Sequence, residues 1–422
     1  MSASSTDTRP TPSVAAQTLF FVAAALVMLG NYYVYDAIGP VAELLTQQLH
    51  FSDTQIGSLN AIYSLPNIVL VLVGGVLVDR FSARVMVLAT TAICLVGALL
   101  TAVGSQFDVM AAGRLLFGIG SETLVVAVLV ALAQWFSGRY FALQLALNLS
   151  LARIGSYLAD RSPSFAKDLY AQGWQPPMWL AFGFAALSFA GAVLYFYVDR
   201  REAPRGTLAA PPPPDRIEWR HLLRFPYGYW LLVAVCVAFY SVIFPFRSTF
   251  AIKYLQEAQH MSLEQASTLN SYVFLAAAFA TPLFGLLLDR TGRNALLLAA
   301  GAVCLPLSFL VLGSAPGAST ILLGLSFSFL PAVLWPTVAR YVAPEQLGTA
   351  YGLMTTLQNA GLFVTNLVAG HINDASHASA QNPAGYAPML WFFGILSLAA
   401  FACTMLLWVS DRRRRAALPA TA

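Results

Sequence analysis

Two short signatures set 210 positions apart constrain this 422-residue chain more than any other feature: Gly75-x-x-x-Asp79-Arg80-x-x-x-Arg84 and Gly285-x-x-x-Asp289-Arg290-x-Gly292-Arg293. Each closes an apolar run of more than twenty residues with an acid, an arginine and a turn. The offset is half the chain, so one membrane-embedded unit is written twice. Composition agrees, with 58% hydrophobic and only 10% charged residues, against roughly 25% charge in soluble domains. A spanning helix needs about 20 apolar residues. Twelve such stretches are centred near Met28, Ile68, Cys94, Glu122, Leu149, Phe189, Tyr240, Leu275, Cys304, Leu325, Gln358 and Leu398, six in each half. Backbone amides cannot stay unpaired in hydrocarbon, so these runs must be helices rather than open sheet. The expected fold is an all-α membrane protein of 12 transmembrane helices in two pseudo-symmetric six-helix bundles.

Loop composition sets the domain limits and the orientation. The segment 199–224, with its Pro211 to Pro214 run and flanking charges, reads as a solvated linker. It divides a tail at 1–16 and a bundle at 17–198 from a second bundle at 225–410 and a basic tail at 411–422. With both ends on one side, 17 of the 23 lysines and arginines fall on that side, which the positive-inside rule makes cytoplasmic. Arg161, Lys167 and Lys253 fall toward outer loops, and Arg114, Arg153 and Arg247 lie within helices. The net charge of +4 thus reflects topology and anionic headgroups; no basic and aromatic surface suits nucleic acid. The first 16 residues lack the succession of a cleaved signal peptide. The outer loops are short, and the one Asn-x-Ser/Thr match, at Asn148, lies inside a helix; a bacterial inner membrane is the expected location.

Cys94, Cys236, Cys304 and Cys403 all fall inside helices, where apolar packing is expected rather than a disulfide framework. No paired carboxylates share a cavity with a histidine, so enzymatic activity is not expected. His371, Asp374 and His377 are a loop set too weak to hold a metal, and no cofactor is expected.

A charge at mid-membrane costs about 2.5–3.5 kcal/mol on insertion scales and so marks a pathway or a partner. Glu122 and Arg153 are equally distant from the turn at Ser137 and Gly138 that joins the fourth and fifth helices. They lie at one depth, roughly 23 Å of helix from that turn at about 1.5 Å per residue. A structural salt bridge is one reading of the pair. The other is a receptor for a zwitterion, with Glu122 taking an ammonium and Arg153 a carboxylate in bidentate geometry. The 210-residue offset carries 122 to Ala332 and 153 to Phe363. Charge recognition therefore belongs to the N-terminal bundle, and the C-terminal bundle is expected to supply shape. Tyr32, Tyr35, Tyr63, Asn67, Tyr240, Asn270, Trp335, Gln358 and Asn359 are candidates to complete that pocket.

The repeated signatures resemble the loop between helices two and three, and its duplicate between helices eight and nine, of the major facilitator superfamily. That resemblance implies a secondary transporter, alternating access and work as a monomer. Further motifs resemble one lysosomal dipeptide-transporting branch of that superfamily. They are Arg114-x-x-x-Gly118-x-Gly120-Ser121-Glu122, Trp135-Phe136, Leu151-Ala152-Arg153-Ile154-Gly155-Ser156, Phe244-Pro245-Phe246, Leu269-Asn270-Ser271, Leu334-Trp335-Pro336, Gln346 to Gly352, and Gln358-Asn359. The branch implies facilitated dipeptide transport, with Glu122 at the amino terminus and Arg153 at the carboxyl terminus. Its eukaryotic members work with an accessory glycoprotein; with such short outer loops, no accessory subunit is expected here.

Arg247 stands where the branch carries an apolar residue, and the 210-residue offset carries it to 37, beside Asp36. An Asp36–Arg247 bridge is the expected outer gate, the alternative being that Arg247 reaches to the outer surface. Gly75, Asp79, Arg80, Arg84, Arg114, Gly285, Asp289, Arg290 and Arg293 are expected to act as conformational parts, bracing helix ends. Two other functions stay open. One is a proton-coupled carrier of organic anions such as sugar acids; the other is a ligand-sensing transceptor, for which an extra soluble module is expected.

Overall fold

A computed structural model of the chain describes residues 13–70, 81–136, 139–202, 225–291, 294–343 and 346–417. Among the described residues, twelve main helical runs follow in chain order. They are α1 (Val14–Asp36), α2 (Asp53–Ser64, helical again at 67–70), α3 (Ala83–Val103), α4 (Phe107–Trp135), α5 (Arg139–Phe165) and α6 (Gln175–Glu202). The second half holds α7 (Tyr227–Pro245, continued by a π-helical turn Phe246–Phe250 and the helix Ala251–Glu257) and α8 (Leu263–Thr291). It ends with α9 (Asn294–Leu312), α10 (Pro316–Val338), α11 (Leu347–Ala375) and α12 (Ala387–Ala417). Among the described residues the only β pairing is an isolated bridge between Ser379 and Asn382.

The bounds differ slightly from those read in the sequence. α6 continues to Glu202, where Arg200 and Arg201 in its last turn suit the negative end of the helix dipole. α1 begins at Val14, capped by the Ser13 side chain, and α12 runs on to Ala417. Gly75, Asp79, Arg80, Arg293 and residues 203–224 of the linker lie outside the described residues, as do the surroundings of Gly285 and the side chains at Asp289 and 411–417.

Packing repeats as the sequence does. In the first half α3 packs on α4 and α6, α1 on α5 and α6, and α2 on α4; in the second half α9 packs on α10 and α12, α7 on α11 and α12, and α8 on α10. The second set is the first advanced by six helices. Among the described residues the two most extensive packings between the halves are α2 with α11 and α5 with α8, and the same rule exchanges them.

The end of the molecule remote from both chain termini, here called distal, carries the duplication in detail. His50 and His260, both in left-handed backbone (φ 57° and 54°), precede Ser52 and Ser262. Each serine hydroxyl accepts from the third backbone N–H of the next helix, and Gln55 or Gln265 reaches back to the serine N–H. The two capping boxes satisfy otherwise orphaned amides at the starts of α2 and α8.

Among the described residues, seven helices are long and apolar enough to cross a membrane. α5 and α11 are long but fall outside that set. Their polar residues, Asn148, Arg153 and Asp160 on one, Gln358, Asn359 and Asn366 on the other, face protein rather than lipid because both helices meet the opposite half.

Candidate substrate cavity and its distal closure

Between the halves lies a cavity of about 210 Å³. The N-terminal half contributes Asn31, Tyr32, Tyr35, Tyr63, Glu122 and Arg153; the C-terminal half contributes Tyr240, Phe244, Trp335, Thr355, Gln358, Asn359 and Leu362. Of the residues expected from sequence to form a pocket, all but Asn67 and Asn270 line it. The Asn67 amide donates to the Tyr63 carbonyl at 3.1 Å, one turn back on its own helix. The Asn270 amide donates to Asp160 at 3.0 Å and to the Arg247 carbonyl at 3.1 Å, in the layer distal to the cavity.

The two charges share the cavity without pairing. Among the described residues, no ion pair within 4.0 Å joins Glu122 to Arg153. The Tyr63 hydroxyl donates to Glu122 Oε1 at 3.1 Å and lies 3.1 Å from Ser121 Oγ, which itself accepts from the Asn31 amide at 2.8 Å. Arg153 is surrounded by ring faces: Tyr32 and Phe327 at 5.2 Å, Phe274 at 5.4 Å. Its Nη1 is buried and has no hydrogen-bond partner. Aromatic faces stabilise a guanidinium without consuming its N–H donors, so the cation keeps hydrogen-bonding capacity for a ligand.

The neighbouring amides and rings are held in place. The Trp335 indole N–H donates to the Tyr240 hydroxyl at 3.3 Å, Tyr351 donates to the Trp335 carbonyl at 3.0 Å, and Tyr240 stacks on Phe244 at 5.7 Å. The Cys236 thiol donates to Gln358 Oε1 at 3.4 Å, which leaves the Gln358 amide donors for the cavity.

Arg114 has the opposite character. It is fully buried, and its guanidinium donates to the carbonyls of Leu59, Val34 and Tyr35 at 3.1–3.2 Å and to Asn60 Oδ1 at 2.5 Å. It ties α4 to α2 and to the last turn of α1, where free carbonyls and the helix dipole offset a cation.

Distal to the cavity the halves are joined by buried charge. Pro245 supplies no amide hydrogen, and the chain passes into the π-helical turn that carries Arg247. Arg247 Nη1 donates to Asp36 Oδ1 at 2.7 Å, and Nη2 donates to Asp160 Oδ2. The side chains of all three are at most 2% exposed. Lys253, expected toward an outer loop, lies buried on the helix that extends α7 and pairs with Asp53. Asn373 donates to Asp53 Oδ2 at 2.8 Å, and Asn60 donates to Thr249 at 2.8 Å. Both oxygens of Asp374 on α11 accept, at 2.8 Å, from the N–H groups of Asp53 and Thr54, so one half caps a helix of the other. On the other side Arg161 donates to Thr268.

Nearer the termini, the described cross-contacts are fewer: Thr356 Oγ1 to the Ile68 carbonyl at 3.1 Å and Ser150 Oγ to the Ala278 carbonyl at 3.3 Å. Of the repeated signature, Arg84 lies 3.6 Å from Asp199, which also accepts from the Trp135 indole at 2.9 Å. Arg290 is exposed at the end of α8.

Asp160, Asp53 and Phe274 carry no expectation from the sequence, and Lys253 and Asp374, expected in outer loops, join the halves instead. One signal was available: Asp160 follows Arg153 by two helical turns on the same face of α5.

A duplicated all-helical membrane fold that holds an acid, a base and hydrogen-bonding rings in a cavity between its halves is that of a secondary transporter, not an enzyme. The chain belongs to the Major Facilitator Superfamily, whose family profile matches residues 20–366 and 246–422. It is 31% identical over 397 residues to the lysosomal dipeptide transporter MFSD1 of Danio rerio, spanning 90% of this chain and 84% of that protein. It is 24% identical over 366 residues to the "Probable sulfoacetate transporter SauU" of Cupriavidus necator, spanning 79% of this chain and 82% of that one. A crystal structure of the nucleoside transporter NupG aligns over 93% of this chain and 99% of its own with a TM-score of 0.73. At 12% identity that likeness concerns the fold alone.

Proposed function

We propose that the chain is a dipeptide transporter working by alternating access, with Glu122 receiving the substrate ammonium and Arg153 its carboxylate. The observation that carries the reading is that both charges line one cavity and are not spent on each other. A buried acid and base that neutralised one another would leave no charge for a ligand. A dipeptide supplies one charge at each end and a peptide unit between them. Gln358, Asn359, Tyr240 and Trp335 are disposed to hydrogen-bond and stack along that middle stretch. Fixed ends and an adaptable centre give broad side-chain tolerance. The likeness to MFSD1 supports the same substrate class.

The Asp36–Arg247–Asp160 cluster serves as the distal gate, made when that end is shut and broken when it opens. Basic residues concentrated on the terminus side make that side cytoplasmic, and a bacterial inner membrane is the expected setting, with uniport and proton symport both compatible with the cavity. The organic-anion reading keeps one specific support, the similarity to a sulfoacetate carrier; there Arg153 binds the anion and Glu122 carries a proton.

A thermal-shift titration of the purified protein separates the two. Alanyl-alanine is expected to stabilise it, N-acetyl-alanyl-alanine to do so far less, and sugar acids not at all. Equal stabilisation by the blocked and free dipeptides removes Glu122 as an amine site and favours the anion carrier.

A further inference from the structure

Phe274 on α8 is fully buried between two cations that belong to different layers. The Arg247 guanidinium stacks 3.7 Å from its ring centre, and the Arg153 guanidinium lies 5.4 Å from it. Among the described residues no other ring stands over both. Phe327 reaches Arg153 at 5.2 Å and packs on Phe274 at 5.2 Å. One turn before Phe274, Asn270 grips Asp160 and the Arg247 backbone. α5 carries Arg153 in the cavity and Asp160 in the closure, so a single strip of α8 touches the cavity charge and the distal gate together.

We propose that Phe274 is the positioning residue through which substrate in the cavity strengthens the distal gate. The inference rests on Arg153 taking the substrate carboxylate. Two guanidinium groups that share one ring compete for the same π electrons. A carboxylate on Arg153 cancels its charge and draws it toward the cavity, leaving the ring to Arg247. Arg247 then sits more firmly between Asp36 and Asp160, and the distal end shuts over a loaded site. The sign is fixed by this chemistry: a ligand with a free carboxylate favours closure, and an uncharged carboxyl end does not.

Amide hydrogen exchange on the purified full-length protein tests it, read on Asp53–Ser64 and on Phe246–Glu257, the two segments that meet in the closed layer. Saturating alanyl-alanine is expected to slow exchange in both, and alanyl-alanine amide to slow it less. Phe274→Leu and Phe274→Met are expected to bind alanyl-alanine by thermal shift yet lose the slowing. Phe274→Tyr is expected to keep it. Phe327→Leu, which takes a ring from Arg153 but none from Arg247, is expected to weaken binding but retain the slowing at saturation. Two results overturn the coupling alone: slowing in Phe274→Leu equal to wild type, or equal slowing by bound free and amidated dipeptide. A wild type that binds no dipeptide overturns the substrate assignment, and the coupling with it.

Discussion

Arg247 and Arg153 both lie over the ring of one phenylalanine and differ in the partners of their terminal nitrogens. Arg247 directs both terminal nitrogens to carboxylates within the protein, Asp36 and Asp160, with only its Nε left without a partner, and is sealed from water. Arg153 is held by three aromatic rings, keeps a donor unassigned and borders a cavity. A cation matched by its own acids joins parts of a molecule; a cation held by ring faces is stabilised without being satisfied, and so stays available. The same residue type thus makes a clasp in one layer and a receptor in the next, and the partners decide which.

Removing the clasp should have the largest effect. Arg247→Gln leaves Asp36 and Asp160 buried without their cation, and breaking buried pairs in this way costs about 3–5 kcal/mol. The thermal midpoint should fall markedly and the distal surface should become reactive to membrane-impermeant reagents. Asp36→Asn or Asp160→Asn alone should do less, because Arg247 keeps one carboxylate. Exchanging Asp36 and Arg247 restores activity poorly for the same reason: it sets a new aspartate against Asp160. Adding Asp160→Asn to the exchange should recover transport, and failure of that triple variant alongside a functional simple exchange would falsify the three-residue arrangement.

Emptying the receptor comes next. Arg153→Gln and Glu122→Gln each remove one end of the proposed salt-bridged ligand, a loss of about 2–5 kcal/mol in binding when one partner of a desolvated charge pair is truncated. Dipeptide uptake into proteoliposomes should drop by roughly thirtyfold or more, with the melting temperature of the free protein barely changed. A large fall in the unliganded midpoint would mean that the cavity charges hold the fold together, which would erase the contrast with Arg247.

Much of this contrast was open to reading in the chain because it depends on height within a helix. Glu122 and Arg153 were matched by counting from one turn, and Asp36 and Arg247 by the repeat distance; both inferences need only rise per residue and duplication. Counting gives height and not direction. Asn270 was grouped with Gln358 by depth, yet it turns toward the gate while Gln358 lines the cavity. Other pairs that cross between halves are hidden for another reason. Lys253 and Asp53, or Phe274 and Arg153, meet only when the extension of α7 reaches α2 and α5 is laid on α8, and no periodicity in either segment records its partner in the other.

Crowding rather than charge sharpens the comparison at a smaller scale. The shut distal layer brings backbones together where α2 meets α11: a Cβ added at Gly57 would lie 2.3 Å from the Asn366 carbonyl oxygen, and one added at Gly370 would lie 2.4 Å from that of Asp53. Both obstacles belong to the opposite half, so the clash exists only while the halves touch. Overpacking of this kind costs about 1–3 kcal/mol. Gly57→Ala and Gly370→Ala should therefore shift the protein toward a distal-open form, raising impermeant-reagent labelling of that end while each bundle melts as before. Unchanged labelling in both variants would mean that the distal layer yields without opening.

The smallest effect separates the two amides that depth alone had grouped. Gln358→Ala removes a neutral hydrogen-bonding group from the cavity wall, worth about 0.5–1.5 kcal/mol, and should weaken dipeptide binding a few fold without altering distal labelling. Asn270→Ala leaves the cavity lining intact but deprives Asp160 and the Arg247 carbonyl of a donor. Its affinity for dipeptide should change less than that of Gln358→Ala, through the loosened gate alone, while distal labelling rises. Affinity and labelling moving together in both variants would make receptor and clasp a single unit, and the division drawn from the two arginines would fail. Separate movement, affinity in one variant and labelling in the other, places the boundary between the layers at Phe274.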